Sequence, residues 1–149
     1  MDIKVKRAFV NDWETYLLMI NEWSDEKKDV LNIDNVKNYF CEVLIGHVLF
    51  ICFIDSVPAG FIICMNGIKS WNGTKTLRED SVFIRQEYRR LGVASALMNK
   101  AKEYAIDNGI KTFIGIASSF GSNDIDSAKI FFEKNGFNCI GYLMMNSME

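Results

Sequence analysis

Proline occurs once in the 149 residues, as Pro58, and histidine once, as His47. So little proline, beside a hydrophobic fraction of 49%, excludes a disordered or linker-like chain and describes a globular one. A single histidine at the start of an apolar run reads as a structural residue and gives no support to a Ser-His-Asp or Cys-His nucleophile. The cysteines Cys41, Cys52, Cys64 and Cys139 form no C-x-x-C pair and lie in apolar surroundings, so neither a metal site nor a redox motif is expected. The longest apolar run, Val48 to Ile54, is far too short to span a bilayer, and Met1 to Arg7 has no signal-peptide core. The expectation is a cytoplasmic protein with reduced, buried thiols, and no membrane partner. Net charge is −2, so no global positive field points to nucleic acid.

What is present is an ordered succession of periodic segments, with no repeat and no linker, in a length that suits one domain over 1–149. Ile3 to Arg7 alternates apolar and charged residues, as a strand does. Asn11 or Asp12 can cap a helix carrying Trp13, Tyr16, Leu17 and Ile20, and Asp34 a second with Val36, Tyr39, Phe40 and Val43 on one face. His47 to Ile54 and Ala59 to Met65 read as strands buried on both sides. Asn66 to Thr76 is polar and reads as a long loop or hairpin, and Leu77 to Ile84 as a strand. Beyond them come a helix to Asp107, a strand over Lys111 to Ala117, a helix through Ala128, Phe131 and Phe132, and a final strand over Phe137 to Met145. The order β-α-α-β-β-β-α-β-α-β predicts an α/β (α+β) fold, a central mixed sheet with helices on both faces.

The densest signal lies between Val82 and Asp107. A β-rich run, Val82-Phe83-Ile84, leads into the basic turn Tyr88-Arg89-Arg90-Leu91-Gly92-Val93-Ala94-Ser95, and an amphipathic helix follows with Ala94, Leu97, Met98, Ala101, Tyr104 and Ala105 on its apolar face. Unpaired N–H groups and the positive end of a helix then meet at one glycine, which suits a phosphate. From Arg78 to Lys102 the basic residues Arg78, Arg85, Arg89, Arg90, Lys100 and Lys102 outweigh Glu79, Asp80 and Glu87, a local patch that favours a small anionic ligand. Taken alone, the turn also fits an ordinary β-turn-α unit with a solvated basic face.

Arg89-Arg90-Leu91-Gly92-Val93-Ala94 matches the pattern Gln/Arg-x-x-Gly-x-Gly/Ala of the GCN5-related N-acetyltransferase (GNAT) family. Phe132-Glu133-Lys134-Asn135-Gly136-Phe137 resembles that family's aromatic-x-x-x-Gly-Phe ending, with Ala128 at its small-residue position. The resemblance runs through the whole chain and is sharpest from Leu77 to Phe137. It implies a GNAT-like acyl-CoA N-acyltransferase fold and acetyl-CoA as co-substrate. Amides of Leu91, Gly92, Val93, Ala94 and Ser95 would then bind the pyrophosphate, with Arg89 or Arg90 adding charge. The strand end Phe83, Ile84 and Arg85 would pair edge-on with the pantetheine, and the neighbouring strand would diverge after Ala117. Asn123, two residues before the aligned position at Ile125, is carried over for the pantetheine, and Phe132 is counted on the cofactor side.

The resemblance further implies direct transfer of an acetyl group to an amine. That needs a base, because free alkyl amines are mostly protonated at neutral pH. Glu79, on the strand before the turn, matches the family's carboxylate, and Asp80 is its neighbour on the other face; both also read as surface acids near a strand start. The family's usual general acid is a Tyr where this chain has Phe132, so Tyr142 or Ser119 would have to substitute, or water. The partners implied are acetyl-CoA and an amine acceptor, with no metal, in a monomer or homodimer. The missing tyrosine also allows a non-catalytic acyl-CoA-binding or sensing module on the same fold.

Overall fold

A computed structural model describes residues 1–116, 125–141, 146 and 148, with the backbone alone at Ile125. The elements follow the predicted order: β1 (Ile3–Arg7), α1 (Trp13–Lys27), α2 (Ile33–Gly46), β2 (Val48–Ile54), β3 (Val57–Ile68), β4 (Lys75–Ile84), α3 (Val93–Asp107), β5 (Thr112–Ile114) and α4 (Ile125–Lys134). Short 3-10 turns precede α1 at Val10–Asp12 and follow β4 at Gln86–Tyr88. The strands form one sheet in the order β1-β2-β3-β4-β5. The first three pairings are antiparallel and β4–β5 is parallel. The predicted mixed sheet is the one observed.

Each face of the sheet buries its own core, which explains the unbroken apolar runs of β2 and β3. Along β2, Val48, Phe50, Cys52 and Ile54 pack with Val93, Leu97, Met98 and Ala101 of α3 and Phe132 of α4. The intervening Leu49 and Ile51 pack with Tyr16 and Met19 of α1 and Phe40 and Val43 of α2. Helical spacing of 3.6 places these residues on one side of each helix, and strand spacing of 2 sends alternate residues to opposite cores.

Several details differ from the sequence reading. The cap of α2 is Asn32, whose side chain accepts from the Asn35 N–H at 3.1 Å; Asp34 sits inside the first turn. Asp12 does not cap α1 through its side chain, because its carboxylate accepts from the Phe9 N–H and from Lys6 Nζ, each at 2.8 Å. Of the two readings of Asn66 to Thr76, a long loop or a hairpin, the hairpin is observed: pairing continues to Ile68↔Lys75, and residues 69–74 turn. Cys52 and Cys64 are buried, but Cys41 and Cys139 are exposed, against the expectation of four buried thiols; Cys41 falls on the outer side of α2, away from Phe40 and Val43. The predicted final strand is not seen over Phe137–Gly141, where Phe137 instead turns its ring onto Phe113 and Phe132, with centroids at 5.2 and 5.1 Å. Residues 142–145 of that prediction lie outside the described residues. No helix among the described residues is long and apolar enough to cross a membrane.

Candidate active site

The parallel pairing of β4 with β5 is short. It joins Thr76, Leu77 and Arg78 to Thr112, Phe113 and Ile114 and stops there. The divergence expected after Ala117 therefore begins three residues earlier. Among the described residues, β4 beyond Arg78 has a strand partner on its β3 side only. Arg85 N–H donates to the Ala59 carbonyl at 2.9 Å, which places Phe83 and Arg85 at positions whose backbone groups face β3. By strand alternation the groups of Ile84 and Val82 face the unpaired edge. Of the three residues Phe83, Ile84 and Arg85, Ile84 is thus the one positioned for edge-on pairing, and its carbonyl already accepts from Arg89 Nε at 3.0 Å.

Glu79 and Asp80 point to opposite faces, as neighbours on a strand do, and a register shift between Ile63 and Cys64 leaves Asp80 as the extra residue of β4. Glu79 pairs in register with Cys64, on the α3 side, and is only 4% exposed. Burial pushes its carboxyl up to about 7; the backbone N–H of Ile116 donates to it and holds the shift in check, the charge of Asp80 adds to it, and Arg78 opposes it. Asp80, on the α2 side, accepts from the Tyr39 hydroxyl and lies 3.6 Å from Arg78. Burial first, and that bond second, raise Tyr39 well above the ordinary phenol range. Tyr39 carries no motif; only the fold brings it to Asp80.

The turn after β4 holds two residues in the left-handed region, Arg90 at φ 65° and Gly92 at φ 87°. Gly92 is the N-cap of α3 and offers no side chain to its first-turn amides. The amides of Val93, Ala94 and Ser95 therefore remain available at the positive end of a 15-residue helix. A Cβ on Gly92 would meet nothing within 4 Å, so the glycine is required by backbone conformation, not by crowding. Crowding does fix Gly60, where a Cβ would lie 2.6 Å from the Phe83 carbonyl oxygen and 3.2 Å from Val93 Cγ1. That glycine lets β3, the end of β4 and the start of α3 meet.

The basic patch read from the sequence is largely neutralised. Arg78 faces Asp80, Arg85 pairs with Glu22 and Glu87, Arg89 with Glu26, and Lys100 with Glu103. Lys102 donates to the Asn135 carbonyl. Arg90 alone of the six makes no ion pair or hydrogen bond with any described residue. The α1 carboxylates Glu22 and Glu26 were not singled out from the sequence; their spacing of four, equal to that of Arg85 and Arg89, was the available signal.

Phe132 is buried in the α3-side core, its ring against Gly115, where a Cβ would come within 2.2 Å of Cε1. It packs the base of the splay and has no proton to give. His47 is structural, as expected: its Nδ1 accepts from the Asn66 N–H at 3.0 Å. Tyr142, Ser119 and Asn123 lie outside the described residues. Among those described, no group of three His, Cys, Asp or Glu side chains is placed to hold a metal.

Comparison with known proteins accords with this geometry. The chain is 27% identical over 92 residues to an uncharacterised N-acetyltransferase of Methanocaldococcus jannaschii, a match covering 59% of this chain. It is 39% identical over 61 residues to the thialysine N-epsilon-acetyltransferase of Caenorhabditis elegans, a match covering 41% of this chain. The chain spans 38% of the length of each of these curated relatives. Its fold is similar to that of a ribosomal-protein-alanine N-acetyltransferase from Brucella melitensis biovar Abortus 2308 (TM-score 0.77, 12% identity, 99% of this chain and 100% of the other). It is also similar to that of AAC(6')-Iy in complex with a bisubstrate analogue, CoA-S-monomethyl-acetylneamine (TM-score 0.80, 14% identity, 100% of this chain and 99% of the other). The family model for the acetyltransferase (GNAT) family matches residues 7–137, which takes in both cores, the splayed strand and the glycine turn: the chain belongs to that family.

Proposed function

We propose that this protein is an acetyl-CoA-dependent N-acetyltransferase that moves the acetyl group directly to a primary amine of a small molecule or peptide. The observation that carries the reading is the alignment of three features along β4: a buried carboxylate at the point of splay, an unpaired strand edge beyond it, and an uncapped helix start at its end. A long ligand with amides in its middle and phosphates at one end is complementary to that sequence of groups. The amides of Val93 to Ser95 would donate to diphosphate oxygens, and Leu91 and Gly92 would shape the turn that presents them. The edge at Ile84 and Val82 would take the pantetheine amides. The acyl group would then lie near Glu79.

At neutral pH a carboxyl with its pKa near 7 is divided between its two forms, which suits a base working at that pH. Glu79, directly or through water, would take the proton of the ammonium. The amine nitrogen then forms the new C–N bond at the thioester carbonyl and releases its second proton to solvent, the C–S bond breaks, and CoA leaves as a thiolate. A thiol with pKa near ~8.5 is a tolerable leaving group, so solvent can reprotonate it without a tyrosine at position 132. Asp80, on the other face, is already engaged by the Tyr39 hydroxyl and Arg78 and is the weaker candidate for the base.

One observation favours a second reading, a non-catalytic acyl-CoA-binding module: Phe132, packed on Gly115, puts an apolar ring where the family carries its acid. Calorimetric titration with acetyl-CoA and CoA, followed by thiol release against a panel of amines, separates the two. Micromolar binding with amine-dependent release supports the enzyme. Binding without turnover on any amine supports the sensing module. No binding overturns both.

A further inference from the structure

Two ion pairs tie α1 to the two ends of the segment between β4 and the glycine turn. Arg85 donates through Nε and Nη2 to Glu22 (2.8–3.1 Å) and through Nη1 to the Pro58 carbonyl at 2.8 Å; its Nη2 also lies 3.0 Å from Glu87. Arg89 donates through Nη2 to both oxygens of Glu26, at 2.8 and 2.7 Å, and through Nε to the Ile84 carbonyl. Glu22 and Glu26 are one helical turn apart, so they share a face of α1. Arg85 and Arg89 are also four apart, so the two pairs have the same sequence offset of 63. Between them Trp23 stacks on Phe83, with ring centroids 5.6 Å apart and planes 13° off parallel. Helix α1 is thus fastened to the strand end by a charge pair, an aromatic contact and a second charge pair.

These contacts engage donors that a phosphate would otherwise take, most of them in Arg85 and two nitrogens, Nε and Nη2, in Arg89. A guanidinium has five N–H groups in a fixed fork. Arg85 has committed most of them and its side chain is only 14% exposed. Arg89 holds both Glu26 oxygens through Nη2 and the Ile84 carbonyl through Nε, and a phosphate that claimed Nη2 would first have to displace Glu26. Arg90 is the opposite case: exposed, unpaired with any described residue, and held at φ 65°, a conformation non-glycine residues seldom adopt.

We infer that Arg85 and Arg89 are positioning residues that, with Glu22 and Glu26, bolt α1 onto the turn, and that Arg90 is the side-chain cation that meets the diphosphate. The inference rests on the acetyl-CoA reading for the identity of the anion, but the bolt itself does not. Its consequence is that the turn and α1 respond to acetyl-CoA as one body.

The test uses the full chain, CoA as probe, and the variants Arg89→Gln, Glu26→Gln, Glu22→Gln and Arg90→Gln. Without CoA, Arg89→Gln and Glu26→Gln should each speed amide hydrogen exchange in residues 13–27 about three- to tenfold, with the double variant no faster than either single one. Glu22→Gln should act in the same direction, and Arg90→Gln should leave α1 unchanged. In calorimetry, Arg90→Gln should raise the CoA Kd about tenfold and flatten its dependence on salt. Arg89→Gln should raise Kd less than threefold and keep the salt dependence of the parent. CoA should slow exchange in α1 of the parent but not in Arg89→Gln or Glu26→Gln. A merely structural role would loosen the sheet along with α1 and would not separate the two arginines by salt dependence. Arg89→Gln flattening the salt dependence as Arg90→Gln does would overturn the assignment, as would multiplicative effects of Arg89→Gln and Glu26→Gln on exchange. A parent that binds no CoA, while the exchange results without ligand hold, would leave the bolt standing and overturn the acetyl-CoA reading.

Discussion

The Glu79 carboxylate accepts a hydrogen bond from the backbone N–H of Ile116, two residues past the point where β5 stops pairing with β4. The divergence of two parallel strands thus holds a carboxylate inside the protein, one that burial has brought to about 7. If Glu79 is the base, kcat/KM should rise with pH through about 7, since only the ionised form accepts a proton. Glu79→Gln should cost a hundredfold or more in kcat, about the reach of general-base catalysis, and remove that limb of the profile. A Glu79→Gln variant as fast as the parent across pH 6 to 9 would transfer the role elsewhere.

The same carboxyl predicts a stability effect of definite sign. Its folded value, about 7, stands above the ordinary 4.5, so between those values the folded chain holds a proton that the unfolded chain has lost. Stability from this group is complete below about pH 4.5 and falls as pH rises to about 7. At one pKa unit to 1.36 kcal/mol, the cost above pH 7 is on the order of 3 kcal/mol. Glu79→Gln should therefore melt higher than the parent at pH 8, with the difference shrinking toward pH 5. Parallel melting curves across that range would contradict the burial argument.

Gly92 and Gly109 make a matched pair for testing the turn. Both have positive φ, 87° and 68°, and both have open space where a Cβ would stand. Aspartate at either position should cost about 1–2 kcal/mol of backbone strain. Only Gly92→Asp should also abolish acetyl-CoA binding, because it alone would put a negative charge at the uncapped start of α3; Gly109 lies beyond the other end of that helix. Full binding by Gly92→Asp would remove the turn from the cofactor site.

Gly115→Ala should destabilise by about 1–3 kcal/mol, the usual cost of overpacking, since its new methyl would sit 2.2 Å from Phe132 Cε1 and the ring would have to move. Adding Phe132→Leu should recover part of the loss. Simple additivity in thermal melts would show that the two residues do not share that space.

Asp12→Ala should cost about 1–2 kcal/mol, because its carboxylate serves both the Phe9 N–H and Lys6. Restoring only the neutral half of the arrangement with Asp12→Asn should return part of this in urea unfolding.

The periodicities already contained most of the fold. Alternation in β1, double-sided burial in β2 and β3, and the apolar face of α3 are local consequences of 2.0 and 3.6 residue repeats, and they gave the element order through α4. The turn from Arg89 to Ser95 was legible for the same reason: a glycine that needs positive φ and a helix start are both local. After Met65 the sequence left a loop and a hairpin open, because hydrogen bonding between backbones does not depend on side-chain polarity, and pairing to Ile68↔Lys75 decided for the hairpin.

What tertiary structure decided is which groups are free. The sequence by itself determined a mixed sheet, a helix start shaped for an anion, and two adjacent acids on opposite faces of one strand. It could not separate Arg89 from Arg90, because the carboxylate that occupies Arg89 comes from α1, 63 residues away. Nor could it say that Glu79 is buried, that Tyr39 meets Asp80, or that Phe132 lies on Gly115. Each of these depends on contacts between distant segments, and the charge state and reach of a side chain are set by its neighbours in space.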